Sequence, residues 1–173
     1  MVERFARSVA AARLAEVARE LLDASTLCSI ATVTPSGRAY VSTAYFAWTP
    51  DVDIIWISHP DAIHSRNLAA NSSAALAVYD SGQRWGGADR GIQLFGTARQ
   101  VAGRAAHEAA RSYAARFPAY EEHQSRAYTL YRFRPRRLKL FDEAALGAGV
   151  FVLARRAPAG ELAWVRTEVY APP

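Results

Sequence analysis

The sequence predicts a mainly β protein of the α+β class, built as a small antiparallel barrel with helices at its side. Three observations carry this. Short runs rich in β-branched and aromatic residues recur at regular spacing, with turn residues between them. A helical pattern is inserted after the third such run. Finally, 173 residues with 51% apolar content are enough for one domain with a real core.

Taken in order, residues 2–22 place Phe5, Val9, Leu14, Val17 and Leu21 at helical spacing with Arg and Glu between them, an amphipathic helix. Leu27 to Val33 reads as a strand, and Thr34-Pro35-Ser36-Gly37 as a turn. Tyr40 to Trp48 is a second, long strand. Thr49-Pro50-Asp51 turns the chain into a third over residues 53–58, completing an antiparallel meander. Pro60 fits the first position of a helix running to Asn71.

Ala74 to Tyr79 is a fourth strand, and Asp80 to Arg90 a glycine-rich loop carrying Trp85, which either plugs into its own domain or covers a ligand or partner subunit. Ile92 to Val101 is a fifth strand, where Gly96 suggests a bulge or a close backbone approach. A helix over 103–117 ends at Pro118. Tyr128–Arg134 and Arg137–Phe141 read as two strands broken by Pro135, and Val150–Ala154 with Leu162–Val169 as a final pair around the Pro158–Gly160 turn. The whole is expected to be one domain, 1–173, with a helix at 1–22, a barrel core at 24–141 and C-terminal strands at 142–173.

The stretch from Ile54 to Asn71 is the centre of the functional reading. A strand feeding a helix start gathers free backbone N–H groups that favour an anion. Ser58, His59, His64, Ser65 and Arg66 add side-chain donors within two helical turns, so the corner reads either as a phosphate cradle or as an ordinary β–α corner with a solvated polar face. Other chemistry is less well supported. Four scattered His and one Cys lack metal-ligand spacing, so no metal is expected. Cys28 reads as a buried, inert thiol, which implies a reduced cytoplasmic setting.

The net charge of +5 comes almost wholly from arginine spread along the chain, without a nucleic-acid motif, so no nucleic-acid partner is expected. No apolar run spans a bilayer and the N-terminus does not read as a signal peptide, so no membrane is expected either. Asp61 and His64 stand close enough to pair, but a helix-dipole role explains Asp61 more simply. Glu121 with Glu122, and Asp142 with Glu143, read as solvated turn residues, and no catalytic dyad or triad is proposed.

Three blocks in order carry a family resemblance: Gly37 to Phe46 (GRAYVSTAYF), Trp56 to Asn71 (WISH…IHSRNL…N) and Gly91 to Ala98 (GIQLFGTA). Over residues 22–141 the chain resembles the FMN-binding split barrel of the pyridoxamine 5′-phosphate oxidase-related superfamily. The resemblance implies an antiparallel split β-barrel and a homodimer with FMN in a groove between two copies. Tyr40, Val41, Ser42 and Thr43 would run beside the flavin ring and ribityl chain. Ser58 and His59 would meet the phosphate side, and His64 would stand where the family places a phosphate-binding lysine, followed by Arg66 and Asn67. Gln93 would approach the ring, and the loop bearing Trp85 and Arg90 would close over it.

Two departures from the family pattern matter. Ser42 replaces an arginine, so with His64 two permanent cationic phosphate ligands are gone, and a histidine near its ordinary pKa is only partly charged at neutral pH. The C-terminal Arg-x-His element that holds the oxidase substrate is also missing; Arg137-Leu138-Lys139-Leu140-Phe141-Asp142 stands there. The resemblance thus implies a flavin-dependent oxidoreductase acting on a small-molecule substrate, but not a pyridoxamine phosphate oxidase proper. The alternatives are a reductase using the deazaflavin F420, or a flavin- or haem-binding protein without turnover.

Overall fold

The computed structural model describes residues 2–5, 8–120 and 127–170; Glu121 and Glu122 lie outside them. Among the described residues there are ten strands and four helices, and the chain divides into two compact units, each taking more than one stretch of it. The first holds residues 1–25, 77–95 and 135–173, and the second 26–76 and 96–134. The fold class is α+β and dominated by antiparallel sheet.

The second unit opens with β2 (Leu27–Val33) and β3 (Ala39–Tyr45), paired antiparallel with Leu27 opposite Tyr45 and Val33 opposite Ala39. Their turn closes with the Gly37 amide donating to the Thr34 carbonyl at 2.8 Å, and Gly37 takes φ +81°, which glycine adopts without steric cost. In β2 the side chains alternate between buried and half-buried, so Cys28, Ile30 and Thr32 face inward. The expected long second strand is interrupted at Phe46. β3 ends at Tyr45, and the two-residue β4 (Ala47–Trp48) pairs instead with β5 (Ile54–Ser58), so the meander runs through β4.

β5 also pairs with the first half of β8 (Thr129–Asp142), which brings Trp56 opposite Tyr131 with their rings stacked 5.6 Å apart. The helix α2 (Ile63–Ala70) packs on β2 and β3, and α3 (Gly103–Arg116) packs on β4 and β5. Ala47, Ile55, Ala109 and Tyr113 form the cluster under α3. Arg116 lies 4.6 Å over the Phe46 ring.

The first unit contains α1 (Ala11–Asp23), which buries Leu14, Val17, Ala18, Leu21 and Leu22 on one stripe and packs on β10 (Leu162–Tyr170). This helix is shorter than the sequence periodicity predicts. Residues 2–5 instead form β1 (Val2–Phe5), an edge strand with Val2 opposite Tyr170 and Phe5 opposite Thr167. Four residues gain more from the open edge of β10 than from one more helical turn, which adds little in isolation. β9 (Val150–Arg156) completes an antiparallel pair with β10 around Gly160, which takes φ +100°.

β6 (Ser73–Tyr79), β7 (Arg90–Gln100) and β8 each run through both units. Pro135 does not break β8 in two. The strand pairs with β5 up to Phe133 and with β9 from Arg137, so the residue without an N–H falls between the two ladders. Cys28 is 1% exposed, and burial pushes its thiol up to about 12. No helix among the described residues is long and apolar enough to cross a membrane.

Candidate functional site

The corner after β5 lies within the second unit. Ser58 ends the strand and a turn follows, in which the Ala62 amide donates to the His59 carbonyl at 3.0 Å and the Asp61 amide to His59 Nδ1 at 3.2 Å. Pro60 therefore sits in this turn rather than at the first helical position. α2 begins at Ile63, with Ala62 as its N-cap and no side-chain cap bond, so the amides of its first turn have no capping side chain to satisfy them. Asp61 lies in the turn before the helix with its carboxylate 3.8 Å from His59 Nδ1, so it neighbours His59.

The candidate phosphate ligands separate into two sets. Ser58, Ser65 and Asn67 are buried and engaged within the protein. Ser65 Oγ donates to Ser58 Oγ at 3.2 Å, Ser58 Oγ to the His59 carbonyl at 3.3 Å, and Asn67 Nδ2 to Thr32 Oγ1 at 3.0 Å. These three tie α2 to β5 and β2, which is a structural role. Arg66 and His59 are exposed, and His64 is half-buried. His64 Nε2 is a buried atom with no hydrogen-bond partner, and burial holds the ring's pKa below its ordinary value. The expectation that His64 titrates near its unperturbed value is corrected accordingly.

On β3 the side chains alternate. Tyr40, Ser42 and Ala44 are half-buried, while Val41, Thr43 and Tyr45 are exposed. Ser42 Oγ is, like His64 Nε2, a buried polar atom without a partner. Of the candidate set, Tyr40 to Thr43 and Ser58 to Asn67 thus belong to one unit, and α2 packs on the strand that carries the former.

Trp85, Arg90 and Gln93 belong to the first unit. Trp85 is fully exposed on its loop, which removes the reading in which it plugs into its own domain. Arg90 Nη2 pairs with Asp142 Oδ2 at 3.1 Å, and the Arg90 amide donates to Gln83 Oε1 at 2.6 Å. Asp142 and Glu143 are not solvated turn residues. Asp142 is 3% exposed and caps α4 (Glu143–Leu146) by accepting from the Ala145 amide at 3.1 Å. The Glu143 carboxylate accepts from the Asp89 and Gly149 amides at 3.3 and 2.9 Å. The signal for this was available, since an Asp followed by Glu-Ala-Ala-Leu is an N-terminal helix signature. Gln93 is exposed and lines a cavity of about 570 Å³.

No group of three or more His, Cys, Asp and Glu among the described residues is placed to hold a metal ion.

The strands and helices define an antiparallel α+β split barrel. The chain belongs to the pyridoxamine 5′-phosphate oxidase family, whose profile matches residues 14–142. No curated protein sequence matches it. Among solved structures it is similar to the conserved hypothetical protein Rv2991 from Mycobacterium tuberculosis, at 21% identity and TM-score 0.66, over 84% of this chain and 92% of that one. It is also similar to a heme binding protein from Mycobacterium smegmatis, at 16% identity and TM-score 0.60, over 96% and 91% of the two chains. An F420 reductase is similar at 19% identity and TM-score 0.54, over 69% and 94%. At these identities the likeness is one of fold.

Proposed function

We propose that the protein is an FMN-dependent oxidoreductase, a homodimer that holds the cofactor's phosphate at the corner between β5 and α2. The observation that carries this reading is the pair of buried polar atoms without partners, His64 Nε2 on α2 and Ser42 Oγ on β3, beside a helix start whose amides have no side-chain cap. Buried polar groups are nearly always bonded, so two such groups, on a helix and on a strand it packs against, favour a polar ligand. Arg66, exposed on the same helix, supplies the permanent positive charge.

Tested against these residues, a phosphate fits a smaller cradle than the sequence suggests. Ser58, Ser65 and Asn67 hold the corner rigid through their internal bonds, leaving Arg66, His64, Ser42 and the first-turn amides as ligands. A bound flavin supplies the redox chemistry itself, while the chain binds, orients and excludes water. The partner copy fits at β3. That strand ends the strand order and exposes Val41 at 65% and Tyr45 at 58%, an apolar edge of the kind that pairs with another chain. Ala44 lies on the half-buried face of β3, so a charge there acts on folding, and the dimer test belongs at Val41 and Tyr45. A lone buried thiol at Cys28 fits a reducing cytoplasm.

The test is a fluorescence titration of FMN against wild-type protein and Arg66→Ala. Loss of the one permanent charge should weaken binding about tenfold. Equal affinity, or no FMN binding by the wild type, removes the reading. A second reading, F420 as cofactor, is favoured by Ser42 and by the lowered pKa of His64, which together leave little fixed charge for a short phosphate tail. Titrating both cofactors in parallel decides between them. The visible spectrum of the purified protein separates either from a haem protein.

A further inference from the structure

Beyond the corner, the strands of the first unit converge cations on one face. Arg137 on β8 stands directly opposite Arg155 on β9, and Lys139 opposite Leu153, which in turn faces Arg166 on β10. Residues two apart share a face, so Arg137, Lys139, Arg155 and Arg166 project to the same side. Two arginines opposed across adjacent strands destabilise a sheet unless something of opposite charge lies between them.

Among the described residues, one carboxylate on the face answers these charges. Glu168 is 8% exposed, hydrogen-bonded by Arg166 Nε at 2.8 Å and 3.5 Å from Lys139 Nζ. Burial pushes the Glu168 carboxyl up, but the bond from Arg166 and the charges of Arg166 and Lys139 outweigh it and hold it below its ordinary value. Glu168 thereby fixes two of the cations in place and leaves Arg137 and Arg155 uncompensated on this face.

These groups line the cavity of about 570 Å³ that also takes in Gln93, with Phe95 and Val165 as exposed apolar wall. That volume suits a small molecule. Arg137 lies 5.8 Å over the Phe95 ring, so its guanidinium plane is part of the wall as well as a donor.

We propose that this cavity binds a small anion of several charges with an apolar or planar body, a multiple carboxylate or phosphate, held by Arg137 and Arg155 and positioned through the Lys139–Glu168–Arg166 cluster. Arg155, Arg166 and Glu168 lie beyond residues 14–142, so the site is completed by the C-terminal hairpin that the family match does not cover. It stands whether or not a flavin binds.

The experiment is calorimetric titration of the full chain with benzene-1,3,5-tricarboxylate and, separately, with inorganic pyrophosphate, each at 50 and 300 mM NaCl. Saturable binding with one site per chain is expected for at least one probe, and the tighter of the two identifies the anion class. Higher salt should weaken it, because the contacts are ionic. Arg155→Ala and Arg137→Ala, both at exposed positions, should each weaken binding about tenfold, while Arg104→Ala on the far more exposed α3 pair should leave it unchanged. Absence of saturable binding by either probe, or Arg155→Ala binding as well as wild type with its thermal unfolding unchanged, overturns the proposal. FMN affinity is read separately on the same Arg155→Ala protein, and an unchanged FMN titration beside lost probe binding tells failure here from failure of the flavin reading.

Discussion

At the corner between β5 and α2, the polar side chains Ser58, Ser65 and Asn67 are buried and bonded inside the protein, whereas on the face of β8, β9 and β10 the cations Arg137 and Arg155 remain exposed and oppose one another. The corner uses neutral groups, which can be buried cheaply once each finds a partner. The face uses formal charges, which cannot be buried without a counter-charge and so stay at the surface. Polar residues crowded together in sequence therefore served packing, and cations far apart in sequence came to share a surface.

The comparison is tested hardest at a buried charge. Asp142→Ala should cost about 3 kcal/mol in urea denaturation, because it removes the cap of α4 and the partner of Arg90 together. A cost as small as that of an ordinary surface change, within about 0.5 kcal/mol, would mean that burial does not separate the two kinds of site. Next in size, Asn67→Ala should cost about 1–3 kcal/mol by leaving the buried Thr32 hydroxyl without its donor. The same denaturation series reads it, and an unchanged midpoint would return Asn67 to the list of free ligands.

The smallest effect is a pH dependence. Burial lowers the His64 pKa, so below neutrality the unfolded chain holds more protons on this ring than the folded one. The stability from keeping it neutral is full above the ordinary histidine value of about 6.5 and declines as pH falls through it. Wild type should therefore lose more stability than His64→Gln between pH 7.5 and 5.5. Parallel curves for the two proteins would discard burial as the cause.

What the sequence made legible follows the range of the interactions. The alternation in Leu27–Val33 and the apolar run Ile54–Ile57 gave their strands correctly, because burial on one or both faces imprints a local pattern. The turns at Gly37 and Gly160 were likewise readable from glycine's backbone freedom. β1 was not, since it exists only because β10 offers an edge more than 160 positions away in the chain. At the candidate site the residue types were readable but their division was not. Nothing local distinguishes Asn67, bonded to Thr32, from Arg66 beside it in the sequence and exposed. At Asp142 the capping of α4 was legible in the local sequence, and only its pairing with Arg90 needed the fold. The basic face was missed for the same reason, as it needs the register of three strands.

Pro135 has a consequence for misfolding. A slip of β8 by two residues would preserve which side chains face inward, so burial alone offers no resistance to it. Such a slip against either β5 or β9 would carry proline toward a position where its partner strand expects a donor. A single missing hydrogen at the changeover therefore guards the alignment of two strand pairs at once, and it does so without adding any contact to the native state.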